Sequence, residues 1–191
     1  MKRIAIFASG NGSNAENLIA QLGEKEGCSF PIIVCDNLKA GVWERAKKLG
    51  VRCVHFSRTE LAEGGAVCEL LKKEGIDLIV LAGFLGKISG PLLEQFGGHI
   101  VNIHPALLPR FGGKGMYGHH VHEAVLAHNE RFSGITIHFV DAEYDHGATI
   151  CQVTCPVYPE IDTPDTLANR IHRLEHIYFP IVVRDLVQRM E

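Results

Sequence analysis

The side chains best suited to chemistry lie between His99 and Pro109, a stretch reading His-Ile-Val-Asn-Ile-His-Pro-Ala-Leu-Leu-Pro. On a strand, side chains alternate between faces, so Asn102 and His104 point one way and Val101 and Ile103 the other. Pro105 has no N–H to donate and ends the pairing. An amide and an imidazole are thus presented together at the carboxyl end of a strand, where open α/β sheets bind ligands. The chemistry this suits is attack on a carbonyl, the amide steadying an oxyanion and the imidazole moving a proton. An edge strand with a solvated polar face is the structural alternative.

Other constellations bear on that choice. Gly10-Asn11-Gly12-Ser13-Asn14 follows an apolar run and opens a helical pattern. Such a turn brings backbone close to a ligand and offers free N–H groups to a phosphate. It lacks the third glycine of a dinucleotide fingerprint and the lysine of a P-loop, so a monophosphate fits better than NAD or ATP. A helix cap with no ligand is the alternative. Asp145, in Glu-Tyr-Asp-His-Gly, is placed to pair with His104 and hold it protonated, or only to make a turn. His119, His120 and His122 do not converge on a helix, and no nearby spacing completes a metal site, so no metal is expected. His138, inside an apolar strand, reads as a hydrogen-bonded core histidine. Glu175 and His176 sit midway along a final helix and fit a solvated face equally well.

The elements that must position these groups follow from the apolar pattern. Strands are expected at Arg3–Ala8, Pro31–Cys35, Val51–Phe56 and Asp77–Ala82, the last apolar throughout and so covered on both faces. Helices are expected after Asn14, over Val42–Leu49 with Gly50 as C-cap, and from about Leu61 to Lys73. This alternation implies right-handed crossovers and a mostly parallel sheet. Beyond Pro109 the pattern changes. Phe111–Gly118 carries four glycines and reads as a mobile loop. His120–His128 is helical. Gly134–Val140 and Thr149–Val157 form an antiparallel hairpin near the sheet edge, joined by the acidic Asp141–Gly147. A last helix starts at Thr163 with Pro164 in its first turn. Its apolar stripe runs through Leu167, Ile171, Leu174, Ile177 and Ile181, and Pro180 is expected to kink it.

The chain of 191 residues suits one α/β domain, residues 1–98 forming a Rossmann-like nucleotide-binding half and 99–191 the catalytic half. Nineteen Lys and Arg against 22 Asp and Glu give a net charge of −3, with no basic stripe to suggest nucleic acid. The six cysteines form no Cys-x-x-Cys pair and read as small buried hydrophobes in a reducing compartment. No cleavable signal or membrane-length apolar run is present, so a cytoplasmic protein with no membrane partner is expected.

Taken in order, Ser9-Gly-Asn-Gly-Ser-Asn14, Leu81-Ala-Gly-Phe84, Asn102-Ile-His-Pro-Ala-Leu-Leu-Pro109, His138-Phe-Val140 with Asp145 following, and Glu175-His176 resemble the glycinamide ribonucleotide formyltransferase family. The resemblance runs over essentially the whole chain. It implies a formyltransferase fold and 10-formyltetrahydrofolate as co-substrate, with no metal. Asn102, His104 and Asp145 would be the catalytic set, with His138 in support. Gly12, Ser13 and Asn14 would hold the ribonucleotide phosphate, and His172 and Glu175 would contact the same substrate. Leu85, Gly86, Lys87 and Ile88, with Asn102, Val140, Asp141, Ala142, Glu143, Tyr144 and Asp145, would line the folate pocket. The partners implied are small molecules, to a monomer or homodimer. Two departures are evident: Gly86 stands where a basic residue is common, with Lys87 next to it, and Arg110–Gly118 is longer and richer in glycine than in many members.

The rival readings are a formyltetrahydrofolate hydrolase, an amino-sugar formyltransferase and a non-catalytic phospho-ligand module. The hydrolases usually carry a further amino-terminal domain, and the phosphate turn disfavours the amino sugar. A formyltransferase for initiator tRNA would need a basic surface. A silent module would have no need for Asn102, His104 and Asp145 to converge.

Overall fold

The computed structural model describes residues 1–88 and 90–190. Seven strands form one sheet in the order β3-β2-β1-β4-β5-β6-β7: β1 is Lys2–Phe7, β2 Cys28–Cys35, β3 Arg52–His55, β4 Leu78–Leu81, β5 Ile100–His104, β6 Phe132–Phe139 and β7 Thr149–Pro156. The first five run parallel, and β6 and β7 are antiparallel additions. The helices are α1 (Ser13–Gln21), α2 (Val42–Leu49), α3 (Arg58–Glu63), α4 (Gly65–Lys73), α5 (Gly90–Phe96), α6 (His119–Ala127) and α7 (Pro164–Arg189). The expected mostly parallel sheet with an antiparallel hairpin is therefore the one observed.

Period-two alternation explains how the sheet is sandwiched. Along β1, Ile4 and Ile6 enter one buried cluster with α1, α2 and α7, while Ala5 and Phe7 enter the other with α4 and α5. All four residues of β4 are buried, as a centrally placed parallel strand requires. Chain order reverses between β1 and β4, which are neighbours, with β2 on one side and β5 on the other. The turns after β1 and β4 therefore open at a topological switch point.

Four expectations are corrected. The helix expected over Leu61–Lys73 is two. Ser57 caps α3 by accepting the Glu60 N–H, and Gly64, at φ 77°, breaks the run before α4. Strand β2 starts at Cys28, three residues before Pro31, because the proline takes a position that does not end the pairing. Helix α5 was not foreseen, and it is only two turns long. On α7, Ile177 and Ile181 are 53% and 44% exposed, and the buried stripe passes instead through Phe179, Val182, Val183 and Val187.

Pro180 does not end α7, which continues to Arg189. Its missing N–H leaves the carbonyl of His176, four residues earlier, without its intrahelical donor. Helix α1 supplies the substitute: the Asn17 amide donates to that oxygen at 2.8 Å and the Gln21 amide at 3.2 Å. The proline thus exposes an acceptor that fastens α7 to α1. Asn17→Ala is expected to cost about 1 kcal/mol in urea denaturation. In a Pro180→Ala background the cost should shrink, because a backbone N–H becomes available to the same carbonyl. Strictly additive losses in that double-mutant cycle would show that the two residues do not share the acceptor.

Candidate active site

The turn Ser9–Gly12 leads from β1 into α1. Gly12 adopts φ 77°, and a Cβ there would lie 2.6 Å from Val42 Cγ2, so the position demands glycine twice over. No side chain caps α1, which leaves its first N–H groups free toward the cavity. Arg45 braces the turn: its Nε donates to the Asn11 carbonyl at 2.8 Å, and its guanidinium also pairs with Glu16. The Ser9 hydroxyl accepts the Leu85 N–H at 2.9 Å, tying this turn to the one after β4.

Strand β5 is interior, so the edge-strand alternative fails. Asn102 and His104 share a face with Ile100 and reach the same cavity of about 670 Å³. His104 is 3% exposed. Its Nε2–H donates to the Phe111 carbonyl at 2.7 Å, which leaves Nδ1 as the basic nitrogen, 3.4 Å from Asp145 Oδ2. The Asn102 amide nitrogen lies 3.1 Å from His138 Nε2 and 3.4 Å from Asp145 Oδ1. His138 donates through Nδ1 to the Phe139 carbonyl at 2.7 Å, so its Nε2 is an acceptor and fixes the orientation of that amide. His138 is buried, as expected of a core histidine, but it also faces the cavity. Asp145, at φ 56°, also accepts the Gly113 N–H at 2.9 Å. The glycine-rich loop is therefore pinned at its start by both His104 and Asp145.

Burial pushes the His104 pKa below the usual histidine value, although Asp145 and the Phe111 carbonyl pull it upward. The expectation that Asp145 keeps this ring charged is thus corrected: desolvation outweighs the carboxylate and favours the neutral ring. Burial acts to raise the Asp145 carboxyl, but its polar neighbours, the Gly113 N–H among them, hold it below the ordinary carboxylate range. On α7, Glu175 Oε2 accepts from Asn14 Nδ2 and from His172 Nδ1, both at 2.9 Å. The hydrogen bond to Glu175 raises the His172 pKa, which favours the charged ring on the side of the cavity that holds the turn. Glu175 is accordingly no solvated helix face.

Gly12, Ser13, Asn14, Leu85, Gly86, Lys87, Ile88, Asn102, His104, His138, Val140, Asp141, Glu143, Tyr144, Asp145, His172 and Glu175 all line the one cavity; Ala142 does not and is exposed. Sequence reasoning missed Arg58, Lys114, Asn169 and His122, which line it too. The first three carry no local signal. His122 was considered only within a histidine trio, whose other members, His119 and His120, face outward toward Glu123. Among the described residues no group of three or more His, Cys, Asp or Glu could hold a metal ion.

The comparisons agree with this geometry. The Formyl transferase family matches residues 2–183. The phosphoribosylglycinamide formyltransferase of Bacillus subtilis is 38% identical over 98% of this chain and 95% of its own length. The chloroplastic enzyme of that name from Arabidopsis thaliana is 40% identical over 95% of this chain, which spans 64% of that longer protein. The crystal structure of phosphoribosylglycinamide formyltransferase from Streptococcus pneumoniae superposes with a TM-score of 0.86 at 39% identity, covering 97% of this chain and 99% of that one. A match of this extent, on a fold and cavity of this form, means that the chain belongs to the formyl transferase family, among the phosphoribosylglycinamide formyltransferases.

Proposed function

We propose that the chain transfers the formyl group of 10-formyltetrahydrofolate to the amine of 5-phosphoribosylglycinamide, using Asn102, His104 and Asp145. One observation carries this assignment of roles: the amide and imidazole of β5 meet a carboxylate from the loop before β7, in the cavity that also receives the uncapped start of α1. The phosphate binds the N–H groups of Gly12, Ser13 and Asn14, with His172 and Glu175 beside it. The folate occupies the side lined by Leu85–Ile88 and by Val140, Asp141, Glu143, Tyr144 and Asp145. All six cysteines are free, which supports work in a reducing, cytoplasmic compartment.

The amine nitrogen attacks the formyl carbon, a C–N bond forms, and the carbonyl π pair moves onto oxygen. The Asn102 amide exchanges its long contact to Asp145 for the developing oxyanion. The attacking nitrogen gives up a proton to His104 Nδ1, directly or through a water. The imidazolium so formed lies against Asp145, which compensates a charge that burial otherwise opposes. His104 then returns the proton to N10 as the C–N10 bond breaks. Starting neutral, the ring is base first and acid second.

His104→Ala should lower kcat by about 10²–10⁴-fold, with KM for both substrates little changed. Because His104 must begin unprotonated and burial depresses its pKa, the acid limb of the kcat/KM–pH profile should fall below pH 6.5. Asp145→Asn removes the carboxylate that pulls this pKa up, so the acid limb should move lower still while turnover drops. A limb moving to higher pH would contradict the assigned pair. Formyl loss from the folate should also require the ribonucleotide, and loss that ignores it would indicate a hydrolase.

A further inference from the structure

Buried polar atoms are normally hydrogen-bonded, and one that is not calls for a reason. Among the described residues, two buried side-chain atoms without a partner belong to residues that line the cavity: Asn14 Oδ1 and His122 Nδ1. Asn14 is already placed beside the phosphate and Glu175. His122 has no role in the mechanism above, although it is 5% exposed and its ring makes no hydrogen bond or ion pair. It sits on α6, within electrostatic reach of both His104 and Glu175.

We propose that His122 is a ribonucleotide-binding residue, hydrogen-bonded by the ribosyl-glycinamide segment that runs between the phosphate at Gly12–Asn14 and the amine at His104. The proposal rests on the reading of those two ends given above, and His122 is within electrostatic reach of Glu175, which holds Asn14 at one end, and of His104 at the other. That segment presents hydroxyls and an amide N–H, groups that both donate and accept or donate only. A neutral imidazole, with one N–H and one lone pair, suits either kind of partner. Burial pushes the pKa of His122 down to about 4, which favours the neutral ring that such a partner needs. On that reading the folate is held by the turn after β4 and the loop before β7, and α6 contributes nothing to it. A vacant polar group sealed in the protein destabilises the empty fold, and its retention is explained if ligand completes it.

Steady-state kinetics with both substrates, thermal unfolding and imidazole ¹⁵N spectra test this on the full chain. In His122→Leu the KM for the ribonucleotide should rise about tenfold, with the folate KM within about twofold and the melting temperature higher than that of the parent. His122→Asn, which keeps a polar group near Nδ1, should recover most of the lost affinity. In the unaltered protein the His122 resonances should move on adding ribonucleotide alone and not on adding folate alone. An unchanged ribonucleotide KM in His122→Leu, or a resonance indifferent to saturating ribonucleotide, overturns the proposal while leaving the activity intact. If the unaltered chain does not formylate the ribonucleotide at all, the functional reading fails and this proposal with it.

Discussion

The register of β5 against β6 governs the reactive end of the molecule. It sets Asn102 opposite His138 and His104 opposite Thr136, so that the amide meets an imidazole whose acceptor nitrogen is fixed by the Phe139 carbonyl. A slip of one residue would carry Asn102 and His104 to the other face of the sheet, into the cluster that contains Val101 and Ile103. The slip is opposed by those same apolar neighbours, whose burial requires their face. Packing on one side of β5 thus fixes the chemistry on the other. Thr136 adds a local anchor, donating to the Ala106 carbonyl at 2.6 Å and accepting the Leu108 N–H at 3.0 Å, which holds the chain where it leaves β5.

The environment of His104 shows two opposed effects of a low dielectric. Removing the ring from water disfavours its charged form, and the same dryness strengthens attraction to Asp145 once a proton arrives. A ring permanently paired as a cation would have no capacity to accept a proton, and one far from a carboxylate could not keep it. At 3.4 Å, with no hydrogen bond yet made on the Nδ1 side, the pair is poised between those limits. The left-handed backbone of Asp145 is the local strain associated with aiming its carboxylate at that nitrogen.

Much of this was legible in the chain. The alternation around Asn102 and His104, the glycine turn, the unbroken apolar β4 and the Thr163–Pro164 helix start all express local rules that the fold obeys. The misreadings arose where distant parts of the molecule decide. Nothing near Glu175 announces that Asn14, 161 residues earlier, will donate to it. On α7 the packed stripe steps from Leu174 to Tyr178 and Val182, four residues at a time, which leaves Ile177 and Ile181 off it. The neutral state of His104 depends on how much protein surrounds it, which no dipeptide spacing encodes. His122 was hidden for the opposite reason, its neighbours His119 and His120 being exposed and drawing the eye to a metal.

The clasp between α1 and α7 bears on the order in which the molecule becomes competent. Its bonds, Asn14 to Glu175 and Asn17 to His176, join positions 161 and 159 residues apart, among the longest chain closures in the fold. Such closures form late, after nearer contacts have shortened the effective loop. The turn after β1 needs no distant partner to form, yet the carboxylate that steadies Asn14 arrives only when α7 docks. Any motion that lifts α7 from α1 therefore takes the partner of Asn14 and the acceptor freed by Pro180 away together.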